Sequence, residues 1–230
     1  MGERILGRLE LPQTLGEGQF GRVHRAFDHV LNKEVAVKEF FKMDMEKADA
    51  SFQTEMKVLA HLHHPALLKV YDLLVDETTG SHFLTEELIA GGDASKALKA
   101  ADWDVRWQLF AQLLQGLEYL HQRGIIHLDI KPPNVLVSAP AHEGGVPQAR
   151  ILDFGVADEI GKFDKKGLIA GTFPYMAPEV VRGEHIDGRA DLYSLGMMFF
   201  EVFKRPSPAP TALPEDEPDG GGGTVAADAS

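Results

Sequence analysis

The hydrophobic pattern of this chain shifts from mostly strand-like to mostly helical at Gly91-Gly92. Before that pair, apolar residues come mainly in short alternating runs of the strand type. After it they recur mainly at three and four residues, as in helices. A sheet-rich first part and a helical second part, hinged at the two glycines, follow from that change. Leu9 to Lys42 reads as strands: Leu15-Gly-Glu-Gly-Gln-Phe-Gly-Arg-Val23 is strand, glycine turn, strand, and Glu34-Val-Ala-Val-Lys-Glu-Phe-Phe41 alternates. Phe52, Met56, Leu59 and Leu62 share a helical face that Pro65 closes, and Ala66–Val75 and Ser81–Ile89 read as two further strands. Beyond the hinge, Phe110, Leu113, Leu114, Leu117 and Leu120 form the stripe of a long helix ending at Gly124. Val135–Val137 and Ala149–Leu152 predict a short hairpin around a surface loop, and Asp187–Phe203 a final, largely apolar helix.

The bulk numbers narrow the function classes. With 230 residues, 44% hydrophobic and 25% charged, the chain has the composition of a soluble globular protein with a real core. A formal charge of −12 argues against nucleic-acid binding and against adhesion to anionic lipid. There is no cysteine, which removes disulfides, thiolate metal sites and thiol nucleophiles and fits a reducing, cytoplasmic setting. The N-terminal MGERILGRLELPQ lacks the apolar core of a secretory signal. The apolar run from Leu192 to Phe203 is too short to span a bilayer. Residues 206–230 hold five prolines, four consecutive glycines, five acidic residues and no Lys or Arg, a composition that predicts a disordered tail. The folded region is then expected over 9–205, with lobes at about 9–90 and 91–205.

Four motifs carry chemistry. Gly16-Glu-Gly-Gln-Phe-Gly21 fits G-x-G-x-x-G, with Val23 extending it. Such glycines let a backbone fold over phosphates. A plain tight hairpin and a dinucleotide site share the pattern, but the latter wants a helix after the last glycine, whereas Arg22–Ala26 continues as strand. Lys38 ends an apolar strand, where an ammonium needs an anion or water; Glu55 on the following helix is the candidate. His127-Leu-Asp-Ile-Lys-Pro-Pro-Asn134 places Asp129 to orient a hydroxyl, Lys131 to neutralise phosphate, and Asn134 to offer an amide oxygen to a hard cation. Asp153-Phe-Gly155 follows a strand nineteen residues later and supplies a carboxylate.

These motifs, in this order, resemble the eukaryotic-type serine/threonine protein kinases from about Leu9 to Arg205. The resemblance implies an α+β, two-lobed fold: an antiparallel β-sheet N-lobe with one main helix and a mostly helical C-lobe lacking its last helices. It implies ATP and Mg2+ as cofactors and a protein substrate with a Ser/Thr acceptor. By the same resemblance Lys38 contacts the α/β-phosphates and pairs with Glu55, under the loop of Gly16, Gly18 and Gly21. Leu15, Val23, Ala36 and Leu136 line the adenine pocket and Asp93 meets the ribose. Asp129 is the base, with Lys131 beside it, and Asn134 and Asp153 hold metal. Thr172, in Gly171-Thr-Phe-Pro-Tyr175, belongs to the P+1 segment, Ala177-Pro-Glu179 closes the activation segment, and Asp191 opens a buried anchoring helix.

Departures from the family pattern shape further expectations. Leu128 stands where the family carries Arg, and Val156–Ala170 contains no Ser, Thr or Tyr, so control by activation-loop phosphorylation is not expected. The residue guarding the back of the adenine pocket is Thr85 or Glu86, depending on register. The final helix meets Lys204-Arg205-Pro206 without the family's later helices, so Glu179 lacks its usual arginine and the helix some of its cover. Low stability alone, or a partner covering that face, is expected. A kinase-like nucleotide-binding or scaffold module with little turnover is the competing function.

Overall fold

Along Lys33–Phe40, Val35 and Val37 alternate with Ala36 and Lys38, and the pleat sends the two sets to opposite faces. The computed structural model describes residues 4–18, 21–40, 61–140, 142–143, 145–153, 158–159 and 173–203. Its N-terminal part is a six-stranded antiparallel sheet of β1 (Arg4–Ile5), β2 (Leu9–Gly18), β3 (Gly21–Asp28), β4 (Lys33–Phe40), β5 (Val70–Asp76) and β6 (Ser81–Glu87), in the order β1-β2-β3-β4-β6-β5. One face gathers Leu9, Ala26, Val35, Val37 and Phe83 into a small core of its own. The other turns Phe40 and Leu84 toward the second half of the chain, where they join its core. Register fixes which residues share that second face: Val23 pairs with Lys38, Lys38 with Leu84, and Ala36 with Glu86.

The expected strand Ala66–Val75 is shorter than its sequence pattern. Strand β5 begins at Val70, while Leu67 forms a parallel bridge with Ile151, and Leu68 N–H donates to Ile151 O at 2.9 Å. That segment bolts the sheet to the second half. The predicted hinge glycines also do more than bend. Gly91–Asp93 is strand β7, paired with β9 (Val135–Ser138), which in turn pairs with β10 (Gln148–Ile151). The hairpin read from Val135–Val137 and Ala149–Leu152 is therefore the core of a three-stranded sheet.

Helices follow: α1 (Ala94–Ala100), α2 (Trp103–His121), α3 (Pro178–Arg182) and α4 (Arg189–Phe203), with a two-stranded ribbon of β8 (Ile125–Ile126) and β11 (Asp158–Glu159). Helix α2 forms because its stripe repeats at helical spacing. Leu109, Leu113, Leu117 and Leu120 are at most 1% exposed, each worth about 1.5–3 kcal/mol of burial. It stops before Gly124, whose φ of +74° suits glycine and turns the chain out of the helix. Helix α4 begins two residues later than expected, and just before it the Asp187 carboxylate accepts the Arg189 N–H at 2.9 Å. It buries Leu195, Met198, Phe199 and Val202 in the main core and leaves Leu192, Tyr193 and Phe200 exposed. The helix expected around Phe52–Leu59 and the tail 206–230 lie outside the described residues. Among the described residues no helix is long and apolar enough to cross a membrane.

Candidate active site

The loop between β8 and β9 is held by a buried carboxylate from α4. Asp191, wholly buried, accepts the backbone N–H of His127 at 2.9 Å on Oδ2 and that of Leu128 at 2.8 Å on Oδ1. The His121 Nε2 of α2 donates to the same Oδ2 at 2.7 Å. These bonds hold Leu128 at φ +63°, a left-handed conformation that costs a branched residue about 1–3 kcal/mol. The Leu128 side chain helps: it lies in an apolar cluster with Ile126, Ala177, Ile186 and Ala190. The position where the family's arginine is missing thus joins the loop to the segment before α4 by packing. The buried His127 ring takes the Asp129 N–H on Nδ1 at 3.3 Å and donates from Nε2 to Leu152 O at 2.8 Å. The loop and the residue preceding Asp153 are therefore fixed to each other.

On that frame Asp129, Lys131 and Asn134 converge. Asp129 Oδ2 receives Lys131 Nζ at 2.7 Å and Asn134 Nδ2 at 2.8 Å. The same Nδ2 also donates to the Asp129 carbonyl at 2.8 Å. Among the described residues, Asp129 Oδ1 is buried without a hydrogen-bond partner. An orphaned carboxylate oxygen is costly, and an incoming hydroxyl donor would satisfy it. Asn134 has committed its nitrogen, which leaves its amide oxygen for a cation.

Lys38 and Asp153, 115 positions apart, meet at 2.5 Å between Nζ and Oδ1. Asp153 sits at φ +57°, a conformation Asp tolerates better than most residues. The donor set suits a small hard cation: an amide oxygen and a carboxylate, with the remaining positions left to phosphate and water. Among the described residues no three His, Cys, Asp or Glu side chains cluster into a preformed metal cage.

Other expected residues fall into three groups. Ala36 and Val23 share the Lys38 face of the sheet, and Leu136 lies half-buried on β9, opposite Asp93 in register. Leu15 is exposed and Gly16 has open space about it. Gly18 pairs with Gly21 across the hairpin. Gly21 is required for packing, because a Cβ there would sit 2.0 Å from the Glu39 carbonyl oxygen. Glu55 and Thr172 lie outside the described residues, as does the side chain of Asp93.

Register puts Thr85 and Glu86 on opposite faces of the sheet. Thr85 pairs with Val37 on the far face, and its Oγ1 accepts the Asp72 N–H at 3.0 Å. Glu86 pairs with Ala36 and is 9% exposed. Burial pushes its carboxyl up to about 7; Lys38 opposes that shift and Asp153 adds to it. Sequence reasoning named both positions without choosing. It missed His121 as a support of Asp191, since nothing local links residues seventy apart.

Comparison with known proteins identifies the family. The family model described as "Protein kinase domain" matches residues 9–217. The DNA damage-responsive serine/threonine-protein kinase RqkA of Deinococcus radiodurans is 35% identical over 208 residues, covering 87% of this chain and 30% of that protein. Serine/threonine-protein kinase ULK1 of Homo sapiens is 31% identical over 224 residues, covering 94% of this chain and 21% of its own length. Serine/threonine-protein kinase ULK3 of Rattus norvegicus is 32% identical over 213 residues, covering 90% and 44%. The chain spans less than half the length of each of these curated relatives.

Proposed function

We propose, because this chain belongs to the protein kinase domain family, that it moves the γ-phosphoryl of ATP, with Mg2+, onto serine or threonine hydroxyls of protein substrates. The observation that carries the reading is the contact of Lys38 with Asp153, which closes a cleft between the sheet and the loop bearing Asp129, Lys131 and Asn134.

When bound, Mg2+ neutralises triphosphate charge and draws it from the transferring group. Each residue then has a task its chemistry suits. Lys38 holds phosphate oxygens, with Glu55 as its proposed second partner. Asn134 and Asp153 supply the oxygen donors for the metal. Asp129 orients the acceptor hydroxyl through Oδ1, the oxygen that Lys131 and Asn134 leave free. Lys131 offsets charge on the departing phosphoryl. Val23, Ala36 and Leu136 supply apolar walls for the base, Leu15 and the glycine hairpin cover it, Asp93 meets the ribose, and Thr172 belongs to the acceptor side. The absence of cysteine supports a cytoplasmic setting.

The test is transfer from γ-labelled ATP with Mg2+ to a generic protein acceptor, followed by phosphoamino-acid analysis. Label on Ser or Thr, reduced by roughly 10²–10⁴-fold in Asp129→Asn, is the expected result. Undiminished transfer by that variant would refute the assignment of Asp129. Nucleotide-dependent thermal stabilisation with no transfer by the wild type would favour the scaffold-type module instead.

A further inference from the structure

A cavity of about 240 Å³ lies beside the Leu67–Ile151 bridge that bolts the sheet to the second half of the chain. Leu62, Pro65 and Leu67 give it an apolar wall, and Lys69, Arg150 and Glu87 a charged one. None of Lys38, Asp129, Lys131, Asn134 or Asp153 lines it, so it is separate from the candidate active site. Its cations are poorly neutralised. Arg150 Nε meets Glu87 Oε2 at 3.4 Å, longer than the about 2.7–2.9 Å of a strong charge-assisted bond. The Lys69 ammonium lies 5.5 Å from the centre of the Tyr71 ring, and the Lys33 ammonium approaches the same ring at 3.6 Å. Among the described residues neither lysine has a carboxylate partner. Like charges gathered in this way repel one another. On a chain of formal charge −12 they also make a local field of the opposite sign, which draws an anion.

We propose that this cavity docks an acidic peptide segment of a protein partner, with one Glu or Asp side chain directed at Lys69 and Arg150 and a neighbouring one at Lys33. Shape and lining select the peptide. The volume exceeds what a bare inorganic anion fills, and the apolar wall offers such an ion no hydrogen bond. A carboxylate on a short carbon stem uses both walls: the stem covers Leu62, Pro65 and Leu67, and the head meets the cations. The second lysine on Tyr71 asks for a second carboxylate close to the first, which an acidic peptide carries. The inference stands apart from the nucleotide reading and is tested without nucleotide.

The experiment follows a dye-labelled, end-blocked peptide of alternating glutamate and leucine, and its glutamine counterpart, by fluorescence anisotropy. It uses the wild type, Lys69→Gln, Lys33→Gln, His63→Trp and Lys99→Gln, each checked by thermal melting. Lys99 sits in the last turn of α1, outside the cavity, and controls for the change in net charge. The wild type is expected to bind the glutamate peptide at least about tenfold more tightly than the glutamine one. Lys69→Gln and Lys33→Gln should each weaken that binding by about two- to fivefold, and Lys99→Gln should leave it unchanged. His63 also lines the cavity, so His63→Trp fills space while keeping both lysines and Arg150, and binding should be lost. Equal affinity for the two peptides, equal effects of Lys69→Gln and Lys99→Gln, or undiminished binding by His63→Trp would each overturn the inference. Displacement of the labelled peptide by tripolyphosphate at a lower concentration than by unlabelled peptide would assign the site to a small polyanion and overturn the peptide assignment.

Discussion

Replacing Asp191 tests how the loop bearing Asp129 is held. Asp191→Ala removes the acceptor of three hydrogen bonds, from His127 N, Leu128 N and His121 Nε2. Two of the abandoned donors are backbone groups in the interior, and leaving such groups unpaired costs about 1–3 kcal/mol each. Loss of a buried charge's contacts brings the sum to roughly 3–5 kcal/mol. For a domain of this size that lowers the melting temperature by roughly 6–20 °C. Asp191→Asn keeps one accepting oxygen. It is expected to serve Leu128 while its amide nitrogen faces His121, so only the His127 N–H is orphaned and the loss falls to about 1–3 kcal/mol. Thermal melting gives the stability change, and phosphoryl transfer at a temperature where both variants stay folded gives the functional one. Release of Leu128 from φ +63° moves Asp129 beside it, so transfer should fall by more than the folded fraction does. A melting point for Asp191→Ala within about 2 °C of wild type, with unchanged transfer, would refute the anchoring argument.

Two other expectations come from the sheet. Gly21→Ala forces a methyl against the Glu39 carbonyl and should cost about 1–3 kcal/mol, whereas Gly16→Ala, with open space around it, should leave the melting temperature unchanged; equal melting of the two variants would contradict the packing reason. Asp28 is wholly buried and takes Arg8 Nε at 2.9 Å and the Val30 N–H at 2.8 Å, while Arg8 also reaches Asp72 at 2.8 Å. Burial alone would raise the Asp28 carboxyl, but the hydrogen bonds from Arg8, Leu31 and Val30 outweigh it and hold the group below its ordinary 3.8. Its stabilisation is then complete above about pH 4 and disappears as pH falls through the lower folded value. Melting curves from pH 7 to 2 should show an acid loss in the wild type that is smaller in Asp28→Asn, itself about 3–5 kcal/mol less stable at pH 7; parallel curves would contradict the assignment.

The strands and long helix were readable because their signals are local. The alternation of Val35 and Val37 with Ala36 and Lys38 and the stripe of α2 each lie within one element and need no partner to be seen. The order of Lys38, Asp129, Asn134 and Asp153 points to the candidate site for the same reason: each residue sits in its own short motif. What stayed hidden depends on partners distant in sequence. Gly91-Gly92 looked like a hinge because glycines signal turns, yet β9 captures them as a strand through pairing across more than forty residues. Helix α1 is only seven residues long, too short for a period to emerge. Which of Thr85 and Glu86 shares the face of Lys38 is a one-residue register question, and the pairing of β6 with β4 answers it. His121 and Asp191 meet because α2 and α4 cross, which no motif at either position reveals.

The central claim is that Lys38, Asn134 and Asp153 would together form one metal- and phosphate-binding cleft for a metal–nucleotide complex. Calorimetric titration of ATP with Mg2+ and with chelator, on wild type and on Asp153→Asn, tests it most directly. The account predicts that Mg2+ tightens ATP binding to the wild type by about tenfold or more and that the gain disappears in the variant. An Mg2+ gain that survives intact in Asp153→Asn, or wild-type affinity indifferent to Mg2+, would contradict it.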